Sequence, residues 1–166
     1  MRVGDILVIS GNTFASKLIK NTLKTKWTHA AIYIGGDQII EIDWNTKAAV
    51  VRNYYPESGM EYVVMRPKQK LERWHKKRVV SAALAFDETG NRYDWPILFS
   101  MLLKAKFPSL KISFNRKNHY ICTELIDNIL KEAGIDLFPG RNGDIFPHEL
   151  LQTEMLEKIE YPQSAA

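Results

Sequence analysis

Cysteine is almost missing from this chain: there is one, Cys122, in 166 residues. A lone cysteine excludes an intrachain disulfide framework, so nothing in the sequence asks for an oxidising compartment, and a cytoplasmic or similarly reducing location is the expectation. Long apolar runs are missing too. The longest, Trp95 to Leu103, is about half of what a bilayer span needs, so no stable membrane span is expected. The N-terminal Met1 to Ile9 has only a short apolar run, broken by Gly4 and Asp5, and reads as a strand rather than a leader. One cysteine and four scattered histidines do not provide a spaced ligand set, so no metal is expected. Internal repeats and low-complexity segments are absent.

Charge is only mildly unbalanced, with 23 Lys and Arg against 19 Asp and Glu, a net charge of +4 and a pI near 9.1. The sharpest basic cluster is Arg73 to Arg78. Acidic residues are interspersed along the chain and no nucleic-acid motif accompanies the cluster, so it reads as a solvated helix face and nucleic acid is not an expected partner. A hydrophobic content of 45% suits one domain, placed at residues 4–155 and followed by a C-terminal extension at 156–166.

Strand signals come first along the chain. Asp5 to Ser10 is a short apolar run ended by Gly11-Asn12, and Thr13 to Lys24 has helical spacing of Phe14, Leu18, Ile19 and Leu23. Trp27 to Ile34 and Gln38 to Trp44 flank Gly35-Gly36-Asp37, a hairpin signal. Ala48 to Tyr54 and Glu61 to Arg66 are two further strands, joined by a loop with Pro56 and Gly59. Helical patterns follow at Leu71 to about Glu88, at Asp94 to Phe107 with Asp94 as cap, and at Pro147 to Met155; residues 162–166 read as a frayed tail. Strands first and helices afterwards predict an α+β fold with a mostly antiparallel sheet of about five strands packed against helices. The Asp94–Phe107 helix is apolar almost all round, which suits a core or groove-lining helix, with membrane-surface or acyl-chain contact as the sharper alternative.

The chemistry centres on Asn118 to Leu130. Leu125, Ile126, Ile129 and Leu130 recur at helical spacing, Asn118 is a candidate cap and Gly134 a stop, so Cys122 falls in the opening turn. There the helix dipole favours a thiolate nucleophile; a small buried hydrophobe is the ordinary alternative. An imidazole and a carboxylate complete such a site. A three-residue hairpin loop pairs Ile34 with Gln38 and puts His29, Glu41 and Asp43 on one face, whereas a two-residue loop would separate them. In the favourable register His29 lies across from Asp43 and diagonal to Glu41, so Asp43 rivals Glu41 as the orienting acid. His119, three residues before Cys122, rivals His29 as the base.

Gly4-Asp5-Ile6-Leu7, Thr28-His29-Ala30-Ala31-Ile32-Tyr33-Ile34-Gly35, Ile40-Glu41, Gly90-Asn91-Arg92-Tyr93-Asp94, Tyr120-Ile121-Cys122-Thr123-Glu124-Leu125 and Phe146-Pro147-His148-Glu149-Leu150 together resemble the circularly permuted papain-like hydrolases. Their permuted NlpC-type branch includes YiiX- and YycO-like proteins and is related to lecithin–retinol acyltransferase-like enzymes. The resemblance spans about residues 4 to 150. It implies Cys122 as nucleophile, His29 as general base and then acid, Glu41 as the orienting third member, and a cysteine helix that follows the sheet yet packs across it. Tyr93 and Asp94 would line the substrate site by motif position, and Tyr33 by strand parity with His29. No cofactor is required. The leading expectation is a cysteine amidase or peptidase acting on a small peptide, with cell-wall peptides as one source. A lipid-directed acyl hydrolase or acyltransferase is the second, and a catalytically idle binding module the third.

Overall fold

A computed structural model describes residues 1–43, 46, 49–53, 60–107, 109, 118–141 and 143–160. Six strands form one antiparallel sheet: β1 (Ile6–Ile9), β2 (His29–Gly35), β3 (Gln38–Glu41), β4 (Val50–Asn53), β5 (Tyr62–Pro67) and, after two intervening short strands, β8 (Leu156–Ile159). Their spatial order is β4-β3-β2-β1-β5-β8. The intervening pair, β6 (Arg92–Tyr93) and β7 (His119–Tyr120), is parallel and separate. Four helices complete the α+β fold: α1 (Phe14–Leu23), α2 (Arg73–Glu88), α3 (Trp95–Lys106) and α4 (Cys122–Glu132). None is long and apolar enough to cross a membrane.

Every residue of β1 is buried because the sheet is covered on both faces. Ile6 and Val8 point into the main core with Ile32, Ile40, Val79 and Ala83 of α2, and the Leu125–Ile126–Ile129–Leu130 stripe of α4. Leu7 and Ile9 point the other way, into a smaller cluster with Ala31, Ile39 and Val64. Strict alternation of one continuous apolar run between two cores is what a central strand requires. A third cluster joins α1 to α3 through Ile19, Ile97, Leu98, Met101 and Leu102, and Ile121, just before α4, belongs to it. Cys122 thus starts at the seam between the sheet core and the α1–α3 unit.

The hairpin differs from expectation in a way that preserves its consequence. Gly36 (φ 59°) and Asp37 (φ 56°) form a two-residue turn with both central residues left-handed, the type that matches strand twist. Gly35 pairs with Gln38, but the register shifts between Tyr33 and Gly35, so that Tyr33 pairs with Ile39 and Ile32 with Ile40. The bulge at Ile34 absorbs the extra residue and restores equal parity, leaving His29 and Glu41 on one face despite the shorter loop.

Other departures have equally local causes. The sheet has six strands because residues 156–159, placed after the domain by the sequence reading, pair with β5, Glu157 lying opposite Arg66 and Leu156 opposite Pro67. A four-residue strand with two charges carries little signal of its own; the open edge of β5 supplies the template. The last helix is a short 3-10 turn, Pro147–Leu151. Ile121, not Asn118, is the N-cap of α4; Asn118 has φ 59°. Trp44, the ends of the Ala48–Tyr54 strand, the Pro56–Gly59 loop, most of the connection from Pro108 towards Asn118 and the tail at 162–166 lie outside the described residues.

Asp5 ties the start of β1 to β5. It is 1% exposed, accepts from Arg66 Nε at 2.7 Å and Arg66 Nη2 at 2.8 Å, and also takes the Arg2 backbone N–H at 2.7 Å. Asp5→Ala removes a fork-shaped charged pair from a buried position and is expected to destabilise the fold by about 2–3 kcal/mol, since Arg66 can partly resolvate. Urea unfolding measures this; a loss below about 0.5 kcal/mol would mean that the pair contributes no more than a surface ion pair.

Candidate active site

The first turn of α4 is held from outside the helix. Glu124 is buried and folds back so that its Oε2 accepts the Ile121 N–H at 3.2 Å, while Oε1 accepts the Asp144 N–H at 3.3 Å. The Thr123 hydroxyl donates to the Ile145 carbonyl. These bonds clamp the turn carrying Cys122 to the 143–145 segment. Gly143 (φ 77°) is required there, because a Cβ would stand 2.7 Å from Glu124 Oε1. Burial raises the Glu124 pKa; its two backbone donors oppose that shift, and Asp144 and Asp94 add to it.

Cys122 is the first residue of α4 and 5% exposed. It stands close enough to the imidazole of His29, the first residue of β2, to act on the protonation of that ring. His29 Nε2 lies 2.9 Å from Glu41 Oε2, at the end of β3. Residues 122, 29 and 41 thus gather a sulfur, an imidazole and a carboxylate, the imidazole bonded to the carboxylate. Burial alone would lower the His29 pKa; hydrogen bonds and charge from Cys122 and Glu41 outweigh it and raise the ring well above the ordinary histidine value. Glu41, 2% exposed, is pushed up by burial and pulled down further by the His29 hydrogen bond and charge and by Arg52, so it stays below the ordinary glutamate value.

Arg52 is the residue that sequence reasoning missed. It stands on β4 opposite Ile39, hence on the face of Glu41, and its Nη2 is 2.7 Å from Glu41 Oε1. The contact is an ion pair without an N–H aligned on the oxygen, which otherwise has no hydrogen-bond donor. No local signal gives the β3–β4 register across the 42–49 connection, so the pairing could not be read beforehand. Arg52→Met is expected to raise the Glu41 pKa, because Arg52 is one of the groups holding it down. A depressed carboxylate contributes stability that is lost as pH falls through its folded value, so acid unfolding of the variant begins at higher pH. At neutral pH the change stays below about 1 kcal/mol, since Arg52 is 43% exposed and screened. Carbon-13 NMR titration of the carboxylates reads the shift directly; an unmoved Glu41 would remove Arg52 from the site.

The remaining candidates separate clearly. Asp43 Oδ1 accepts the Thr46 N–H at 2.8 Å while Glu41 holds the ring. Tyr93 is close enough to Cys122 to sense it: burial first, then the acidic neighbours Cys122, Asp43, Glu124 and Asp94, push its hydroxyl well above the usual phenol value. Asp94 is fully buried and caps α3, Oδ1 accepting the Ile97 N–H at 3.0 Å, and its Oδ2 has no hydrogen-bond partner. Tyr33 is not brought to the site. Its hydroxyl accepts the Asp37 N–H at 3.2 Å at the hairpin tip, four residues along β2 from His29, or about 13 Å at a strand's usual rise. His119 stands on β7 opposite Arg92. A groove of about 550 Å³ runs between α2 and the 118–120 stretch, lined by Arg78, Phe86, Asn91 and Tyr120 among others, and includes none of Cys122, His29 or Glu41.

The fold is YiiX-like. The crystal structure of the metalloprotein yiiX from Escherichia coli O157:H7 matches 97% of this chain and 98% of its own, with a TM-score of 0.63 and 16% sequence identity. No family model and no curated protein matches the sequence. Among the described residues, no three His, Cys, Asp or Glu side chains are grouped so that they could hold a metal ion. The described residues thus present no donor set that fits a metal centre.

Proposed function

We propose that this chain is a cysteine hydrolase of the amidase or peptidase kind, cleaving an amide bond in a small peptide, cell-wall-derived peptides being one source. The observation that carries the reading is the imidazole of His29, which lies 2.9 Å from Glu41 Oε2 and close enough to Cys122 for the two to act on each other's protonation. His29 takes the thiol proton as sulfur attacks the carbonyl carbon, giving a tetrahedral oxyanion. That oxygen is offered the N–H groups of the opening turn of α4, Cys122's own being the first candidate, since the Ile121 N–H is already taken by Glu124. His29 then returns the proton to the departing amine, leaving a thioester on Cys122 that water hydrolyses with His29 again as base. An amine leaves only when protonated, and a ring whose protonated form is stabilised by Glu41 and Cys122 suits that step.

A lipid-directed thiol acyl hydrolase or acyltransferase is the second reading, favoured by one observation: α3, apolar and partly exposed, begins at Asp94 beside the site. A thiol-reactive acyl probe tests the class. Labelling at Cys122 is expected in the wild type and at least about 100-fold slower in His29→Ala. Labelling that is absent, or indifferent to His29, would leave the idle binding module. Short peptide amides against acyl esters, each run with Cys122→Ala as blank, separate the two enzymatic readings.

A further inference from the structure

All of the chain's net positive charge resides on one two-helix unit. Residues 13–28 and 95–107 hold six lysines, Lys17, Lys20, Lys24, Lys26, Lys104 and Lys106, and no acid; the remaining 17 Lys and Arg (23 less these six) stand against 19 Asp and Glu. These residues include α1 and α3, which pack on each other through the third core cluster. Lys26 pairs with Glu61 and Lys104 with Asp144. Lys17, Lys20, Lys24 and Lys106 make no ion pair among the described residues.

The same unit carries three strongly exposed phenylalanines, while Trp74, 51% exposed, lies on α2. Phe14 is 73% exposed, Phe99 57% and Phe107 49%. On α3 the buried residues are Ile97, Leu98, Ser100, Met101 and Leu102, so the solvent-facing line runs through Phe99, Leu103 and Lys106. A solvent line of Phe and Leu ending in lysines is the reverse of an ordinary surface helix, which turns its polar residues to water. Lys106 already lies against the Phe107 ring, 5.6 Å from its centroid.

We propose that the α1–α3 unit is a peripheral docking surface for an anionic lipid bilayer, with Phe99, Phe107 and Phe14 entering the headgroup–acyl boundary and the unpaired lysines meeting lipid phosphates. Charge complementarity selects this occupant. A second copy of the chain would bring the same acid-free lysine helices against each other, a like-charge contact. A nucleic acid would answer the lysines but leave Leu103 and the phenylalanines without apolar cover. A bilayer interface answers both, aromatic and aliphatic groups sinking about 5–10 Å while lysine heads stay at the phosphates. The docking does not rest on the hydrolase reading, but it would set the N-terminal end of α3, and so Tyr93 and Cys122, near the lipid surface.

Flotation of the full chain with phosphatidylcholine vesicles and with mixed phosphatidylcholine–phosphatidylglycerol vesicles tests this. Binding is expected to the mixed vesicles only, and to weaken as salt is raised. Lys106→Gln is expected to lower partitioning roughly fivefold, in line with about 1 kcal/mol per lysine at an anionic surface. Phe99→Ser should lower it about tenfold or more. Lys70→Gln, removing an exposed charge ahead of α2, should leave partitioning unchanged. If Phe99→Ser fails to fold by circular dichroism, Lys106→Gln against Lys70→Gln carries the test alone. No flotation with either vesicle overturns the proposal. So does flotation indifferent to Lys106, and so does a Phe99-dependent dimer in sedimentation without flotation.

Discussion

Cys122→Ala is expected to abolish acyl transfer, lowering kcat/KM by about 10⁴-fold or more on any substrate the wild type turns over, while unfolding free energy changes by no more than about 1–2 kcal/mol. The two effects part company because sulfur is both the proposed nucleophile and a small member of the main core. Alanine keeps most of the buried surface and the helix start, and Ile121, Glu124 and Asp144 go on clamping the turn. It leaves no atom able to form the thioester. Steady-state kinetics with the matched urea unfolding curve checks both halves. Residual turnover within tenfold of wild type would remove Cys122 from the chemistry, and a collapse of stability would make it a packing residue first.

Glu41→Gln should be the second-largest effect, with kcat/KM falling roughly 10²–10⁴-fold although the side chain is nearly isosteric. The glutamine can keep a hydrogen bond to His29, but the buried charge that stabilises the protonated ring is gone, and Arg52 loses its counter-ion. The alkaline limb of the pH–rate profile should therefore move down towards the ordinary histidine value, because Glu41 is one of the groups holding His29 above it. Stability gives an independent readout. A histidine raised in the folded state contributes stability that is full below its ordinary value of 6.5 and is lost as pH rises through the folded value. Glu41, depressed, contributes stability that is full above its ordinary value of 4.5 and is lost as pH falls through its folded value. The gap between wild type and Glu41→Gln should thus be widest between those two ordinary values and narrow on either side. A variant whose profile keeps its alkaline limb, with a gap that does not vary with pH, would reduce Glu41 to a packing role.

The α3 surface and the residues proposed for catalysis meet at one place. Asp94 caps α3, Tyr93 senses Cys122, and Ile121 packs into the α1–α3 cluster immediately before Cys122. Tyr93, Asp94 and Ile121 thus tie the helical unit to the neighbourhood of Cys122. The vesicle experiment and the amide–ester panel consequently bear on each other without depending on each other.

Local chemistry made much of this legible in advance. Apolar alternation and turn residues determined the first five strands, the 3.6-residue stripe of Leu125, Ile126, Ile129 and Leu130 determined a helix opening at Cys122, and Gly35-Gly36-Asp37 determined that β2 and β3 form a hairpin. Those features depend on residues a few positions apart, whose conformational preferences act whatever the rest of the chain does. Tertiary structure alone decided the bulge at Ile34 that puts His29 and Glu41 on one face, the choice of Glu41 over Asp43 for the ring, the arrival of Arg52 from β4, the removal of Tyr33 to the hairpin tip and the recruitment of 156–159 as an edge strand. Each of these depends on register or reach between segments far apart in sequence, where a single residue of slip changes which side chains meet, and no local preference can set that.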